Sequence, residues 1–331
     1  MMTLSDAVAM FLRHREIKNL QPATMRLYRR RLQFWLAWRE ERHYEPLLAV
    51  VTADELRTYL HYLMYDHVPH ERNPRRPASK GRMAVNSVQS DWRILRALWM
   101  FLKDDDLLSE HQEKVFTRNR VPCPRESEPE LRPVCPPDVF DQLLRACASD
   151  EPEEEWRNKA IFLMLHDTGA RIGEIVGPWG LRDRDIFLAK SWGNVRGKGG
   201  KRRWIYWSEE TGYALTQYMQ HRRGKWGGEL PLFRGMSSRN NGDAFTTDAL
   251  RSLIRRIAKR AGISLIAKAP LHSMRHAFAH DGLDEGIDEF HLQQLLGHQS
   301  PTTTARYTRE NPSKLRRVYD RFYRRRRRPL T

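Results

Sequence analysis

Apolar residues in the first third of the chain recur with helical spacing. In "TMRLYRRRLQFWLAWRE", Met25, Leu27, Tyr28, Leu32, Trp35 and Leu36 form a stripe, and Arg29, Arg30 and Arg31 fall opposite it. "TADELRTYLHYLMY" predicts a helix with Thr52 as N-cap and Glu55 at capping-box spacing. "NSVQSDWRILRALWMFLKDDDLL" puts Val88, Trp92, Leu95, Leu98, Trp99 and Leu102 on one face. The opening "MMTLSDAVAMFLRHREIKNL" is amphipathic, with Thr3 or Ser5 as cap, and has no basic run ahead of its apolar residues as a secretory signal would. "DHVPHERNPRRPASKGR" is polar, Pro-rich and basic, a surface loop whose arginines either meet solvent or follow a nucleic-acid backbone.

Periodicity stops at "TRNRVPCPRESEPELRPVCPP", where prolines and charges mark a linker. The expected division is a helical domain over 1–116, a linker over 117–135 and a second domain over 136–331, with the boundary near residue 130. Helical segments "PDVFDQLLRACAS" and "EEEWRNKAIFLMLHDTGA" open the second domain. "DIFLAKSWGNVRGKGGKRRWIYWS" then reads as strand, turn, strand, its flanks rich in aromatic and β-branched residues. Helix returns in "TTDALRSLIRRIAKRAG", where Leu250, Leu253, Ile254, Ile257 and Ala261 share a face and Gly262 is the C-terminal cap. The pattern is mostly α with a small antiparallel β-sheet, an α+β fold, and it holds no internal repeat.

Charge changes this picture most. The 331 residues include 58 Lys+Arg against 41 Asp+Glu, a formal +17, which favours a polyanion through counterion release. Arginine dominates the excess, and its planar fork suits phosphates. A merely soluble basic protein or one drawn to anionic membranes is the weaker alternative, and no apolar run reaches the length of a membrane span. Cys123, Cys135 and Cys147 lack metal-type spacing, and their odd number argues against a disulfide framework and for a reducing, intracellular setting.

Several tempting motifs fail. "RGKGGKRR" lacks the Gly-Lys-Ser/Thr ending of a phosphate-binding loop and is a hairpin turn. His166 beside Asp167 has no HExxH partner, and His276 with His280 has no third ligand. What remains is a phosphate-friendly set in the second domain. Arg171 follows "DTGA", where Gly169 permits a tight turn. His272 and Arg275 lie one helical turn apart. His298 follows Gly297, Ser300-Pro301 reads as a helix start, and Tyr307 falls in the second turn beyond it. Lys198 sits at the hairpin tip. Two arginines can bind both non-bridging oxygens of a phosphodiester, imidazoles can handle protons, and a tyrosine hydroxyl can be the nucleophile. Such a site requires no metal or other cofactor.

"TGARIGEI", "VRGKGGKRRW", "HSMRHAFA" and "LLGHQSPTTTARY", in that order, resemble the tyrosine recombinase (phage integrase) family, in particular its simple Xer- and Cre-like site-specific members. The resemblance implies a helical core-binding domain and a mixed α/β catalytic domain that together clamp double-stranded DNA in a C shape. It assigns Arg171 and Arg275 as phosphate clamps, Lys198 as general acid, His272 to proton transfer, His298 to the scissile phosphate and Tyr307 as nucleophile. Lys201 competes with Lys198, which follows Gly197 as in the family's hairpin. Glu174 matches a common acidic position with a supporting role. Arg29, Arg30, Arg31, Arg75, Arg76, Lys80, Arg82, Lys201 and Arg202 are the expected DNA-contacting cations. Leu315, Val318 and Phe322 give the tail a short stripe, which implies exchange of that tail between subunits of a homo-tetramer on two DNA sites. The run Arg324 to Arg328 is left open between a solvated tail and a DNA-gripping arm. The implied activity is cutting and rejoining of DNA through a 3′-phosphotyrosyl link and a Holliday junction, in the cytoplasm of a prokaryote or from a mobile element. The alternatives are a type IB topoisomerase and a DNA-binding relative without catalysis.

Overall fold

The computed structural model describes residues 2–69, 81–117, 120–125, 134–197, 200–224, 227–236, 242–264 and 270–297. The chain divides into two units, Met1–Glu130 and Leu131–Thr331.

Helices of the first unit follow the expected stripes: α1 Leu4–Ile17, α2 Pro22–Glu41, α3 Ala53–Tyr65, α4 Val85–Asp104 and the one-turn α5 Glu110–Glu113. Thr3, rather than Ser5, caps α1, its hydroxyl accepting from the Asp6 amide at 3.1 Å. Thr52 caps α3 through the Glu55 amide at 3.2 Å. Glu55 does not close the expected capping box. Its carboxylate turns into the core and pairs with Arg39 at 3.1 Å, both side chains only 4% exposed. The core itself is aromatic: Trp35 lies 6.2 Å edge-on from Trp99, and Trp38 lies 5.1 Å from Tyr59.

Two further expectations are corrected in this unit. Arg31 does not share the exposed face of Arg29 and Arg30. It bridges α2 and α4 through Asp91 at 2.9 Å, the carboxylate being 2% exposed. Within the stretch expected to be linker, Arg120 to Pro124 is packed on this unit. Val121 is buried, and its carbonyl accepts from Trp92 Nε1 at 2.9 Å. Arg57 and Gln89 donate to the carbonyls of Arg120 and Pro124. A single valine among prolines and arginines carries no periodicity, so the sequence pattern could not show this anchoring.

The second unit is built on α7, Pro152–Thr168, preceded by α6, Pro137–Arg145. Residues 160–165 of α7 are apolar on every side and all buried, as a central helix requires. The one-turn α8, Ile172–Ile175, follows. A three-stranded antiparallel sheet is ordered β1 Ile186–Phe187, β2 Trp192–Arg196, β3 Arg202–Tyr206. The first flank of the expected hairpin splits in two because a 3-10 turn over Leu188–Lys190 ends at Ser191 with φ +52°. Then come α9 Glu209–His221, α10 Thr247–Arg260, α11 Pro270–Asp284 and α12 Glu289–Leu296. Gly262 takes φ +69° just past α10, and the Ile263 amide returns to the Ala258 carbonyl, the closing pattern expected of it. A small cluster of Ala279, Leu292 and Leu296, covered by Phe278, Leu283 and Ile287, ties α12 to α11. Among the described residues no helix is long and apolar enough to cross a membrane.

Candidate active site

The site grows from two chain reversals and one helix. Gly169 ends α7 in the left-handed conformation, φ +55°, where any Cβ would lie 2.5 Å from the Phe278 ring and 2.9 Å from Leu296. That turn places Arg171 at the N-terminus of α8, with 37% of its side chain exposed. Arg275 projects from α11 and is buried, donating to the Gly169 carbonyl and to the Leu296 carbonyl at 2.6 Å. Gly297 ends α12 with φ +62°, and the last carbonyls of that helix, left without intrahelical donors, meet the arginines.

Glu174 holds the cluster together. Its Oε1 accepts from Arg171 Nη1 at 3.0 Å, and its Oε2 from the Arg171 amide at 2.8 Å and from Arg203 Nη2 at 2.8 Å. Burial opposes ionisation of this carboxyl. The Arg203 guanidinium, the Arg171 amide and the Arg171 guanidinium outweigh it and hold Glu174 below the usual carboxylate range. Arg203 also donates to the Leu295 carbonyl, and Arg171 to the Gly297 carbonyl at 3.5 Å. Three consecutive carbonyls at the end of α12 are thus each held by a different arginine: Arg203 from β3, Arg275 from α11 and Arg171 from α8.

Lys198, His298 and Tyr307 lie outside the described residues, as do Arg75, Arg76 and Lys80. The residues immediately before two of them are described and converge. A Cβ on Gly197 would sit 3.2 Å from Glu174 Oε1, and one on Gly297 would sit 3.9 Å from Arg171 Nη1. His272 is exposed on α11, its ring 6.5 Å from that of the buried His276. Arg171, Arg275 and the backbone leading to Lys198 and His298 therefore meet at one place. Of the other tyrosines described in this unit, Tyr206 and Tyr213 are exposed, whereas Tyr218 is enclosed and burial pushes its phenol up to about 12. Among the described residues no group of His, Cys, Asp or Glu could hold a metal ion.

The other expected cations vary. Lys201 and Arg30 are exposed, Arg29 pairs with Glu16, and Arg82 lies 5.4 Å from the Tyr65 ring. Arg202 is half exposed and 3.5 Å from Asp185. Arg31, as shown, is committed to Asp91.

Arg203 was not among the expected site residues. The signal was present in the strand period of two: Ile205 faces the core, so Arg203 on the same face must point inward while Arg202, Trp204 and Tyr206 point out. Arginine at an inward strand position is a request for a buried partner.

Clustered guanidiniums are groups suited to binding phosphate. The phage integrase family model matches residues 134–314. Tyrosine recombinase XerC of Staphylococcus aureus is 26% identical over 312 residues, covering 91% of each chain. Two solved structures share the fold. One is the Tn1549 transposon integrase in complex with transposon right end DNA, with TM-score 0.70, 20% identity, and 97% of this chain and 100% of that one covered. The other is a lambda integrase dimer bound to a COC' core site, with TM-score 0.64, 16% identity, and 92% and 95% covered. The chain belongs to the phage integrase family, the tyrosine recombinases, whose activity is site-specific recombination of DNA.

Proposed function

We propose that this recombinase cuts duplex DNA by attack of the Tyr307 hydroxyl on a phosphodiester. The new Tyr–O–P bond forms as the P–O5′ bond breaks, and Lys198 delivers a proton to the departing 5′-oxygen. The products are a 3′-phosphotyrosyl link and a free 5′-hydroxyl. Attack on that link by the 5′-hydroxyl of another strand restores the phosphodiester and releases the tyrosine. Bond energy is conserved throughout, so ATP is not consumed. Arg171 and Arg275 bind the non-bridging oxygens and meet the charge that develops at phosphorus, the part a metal ion would otherwise play. His298 hydrogen-bonds the same phosphate, and His272 moves the proton of the nucleophile. The helical domain, through cations such as Arg30 and Arg82, and the hairpin cations Lys201 and Arg202 grip the backbone, and four copies act on two sites through tail exchange.

The observation that carries this reading is the meeting of Arg171 and Arg275 with Gly197 and Gly297, the residues that precede Lys198 and His298. Its test is covalent trapping on a nicked suicide duplex in EDTA, with wild type beside Tyr307→Phe. An adduct from wild type alone is the expected result. An adduct from both proteins would remove Tyr307 as nucleophile. Tight binding with no adduct from either would mean a DNA-binding protein without catalysis, and relaxation of supercoils without strand exchange would mean a topoisomerase.

A further inference from the structure

Arg171 faces an electrostatic problem. A guanidinium meant for DNA phosphate lies 3.0 Å from a buried carboxylate, Glu174. Were that pair alone, its net charge would be zero, and phosphate would meet a neutralised clamp. The structure adds a second guanidinium, Arg203, 2.8 Å from the other carboxylate oxygen and with 12% of its side chain exposed. Two cations against one anion leave one positive charge. Arg203 is the more enclosed cation, so it takes up Glu174, and the more exposed Arg171 keeps its charge for a ligand. The electrostatic order agrees: among the influences that favour ionised Glu174, the Arg203 charge comes first and the Arg171 charge after it.

Geometry gives Arg203 a second task. It reaches from β3, the strand that follows the Lys198 turn, to the Leu295 carbonyl in the last turn of α12, three residues ahead of His298. A Cβ on Gly297 would fall 2.7 Å from Arg203 Cδ and 2.8 Å from its Nε, so the end of α12 rests directly against this side chain.

We propose that Arg203 is a positioning residue for strand cleavage, which offsets Glu174 so that Arg171 meets phosphate as a full cation, and which fixes the end of α12 before His298. This rests on the recombinase mechanism above. Arg203 itself need not touch DNA.

The test uses the full chain on the nicked suicide duplex at saturating protein, with adduct formation timed in single turnovers and DNA affinity measured separately. Wild type and Tyr307→Phe are the controls: if wild type forms no adduct on a site it binds, the mechanism fails, and not this inference. Arg203→Met is expected to slow adduct formation about 100-fold, the scale of a small misplacement of reacting groups, while DNA affinity changes less than about threefold, because the contacts that grip DNA elsewhere remain. Adding Glu174→Gln to Arg203→Met is expected to restore about tenfold, since the uncompensated carboxylate is gone. A merely structural arginine predicts the reverse, a double variant slower than the single one. Wild-type speed in Arg203→Met, or further loss in the double variant, overturns the proposal. If Arg203→Met does not fold, Arg203→Lys decides. It keeps the buried charge, so its rate should stay within about tenfold of wild type, and Glu174→Gln added to it should bring no gain. A gain in that background, or a loss beyond tenfold from the lysine variant alone, overturns it equally.

Discussion

Replacing Gly297 with alanine isolates the close approach on which the site depends. Two costs add. The residue holds φ +62°, and an L-residue with a Cβ loses about 1 kcal/mol there. The new methyl would also sit 2.7 Å from Arg203 Cδ and 2.8 Å from Nε. These are mid-chain atoms of a side chain anchored at its tip to Glu174 and to the Leu295 carbonyl, so the arginine cannot swing aside without breaking a buried ion pair. Relief must come from a shift of several tenths of an ångström in α12 or β3, an overpacking cost of ~1–2 kcal/mol. The sum is a loss of ~2–3 kcal/mol in the stability of the second unit, and adduct formation about 100-fold slower. Gly262→Ala is the matched control: φ is +69°, but no atom lies within 4 Å of the added methyl. It should lose only the backbone cost of about 1 kcal/mol and cleave at the wild-type rate. Urea denaturation and timed suicide cleavage read both quantities. Equal losses in the two variants, with Gly297→Ala cleaving normally, would refute the claim that Arg203 is pressed against the end of α12.

Three further outcomes follow from the geometry. Asp167 accepts from the Ser208 amide and from the Ser208 and Thr211 hydroxyls, and these bonds with His166 overcome burial and hold its carboxyl at about 2 against an ordinary 3.8. A depressed carboxyl stabilises the fold above its unfolded value and loses that contribution as pH falls, so Asp167→Asn should cost ~2 kcal/mol at pH 7 in urea melts, and the difference from wild type should shrink between pH 4 and 2. A pH-independent difference would refute this. Burial raises the Asp91 carboxyl to about 6 despite Arg31 and Arg30, so the folded first unit loses stability as pH rises through that value. Arg31→Met removes the nearest cation and should cost ~3–5 kcal/mol at pH 8 but clearly less at pH 5, where Asp91 is protonated; equal costs at the two pH values would contradict the pairing. On β3, Ile205→Ala should destabilise by ~3 kcal/mol and Trp204→Ser by less than ~1 kcal/mol, as denaturant midpoints would show, because the first faces the core and the second is half exposed.

The helices were legible because their stripes and caps are local: α2, α3, α4 and α10 follow directly from apolar spacing, and α3 also from Thr52. The glycine turns at Gly169 and Gly262 were legible too, since few other residues accept those angles. What escaped was pairing across distance. Arg31 looks like part of a basic face until Asp91, on another helix, supplies a partner. Glu55 fits a capping box until the burial of Arg39 claims its carboxylate. Arg203 reads as one more cation in a basic turn, and only the partners on α8 and α12 reveal it as part of the site. Motif spacing singled out Arg171 and Arg275 because that pattern is carried in order along the chain. It passed over Arg203, whose role depends on which face of a strand it occupies.

That strand has little tolerance for sliding. Arg203 and Trp204 are neighbours on opposite faces, one within the arginine cluster and one against Trp192 in solvent. A shift of β3 by a single residue would carry the indole into the arginine cluster and the guanidinium out to water. Inside Arg202–Tyr206 a lone insertion or deletion therefore strikes the arginine cluster and the fold in one event.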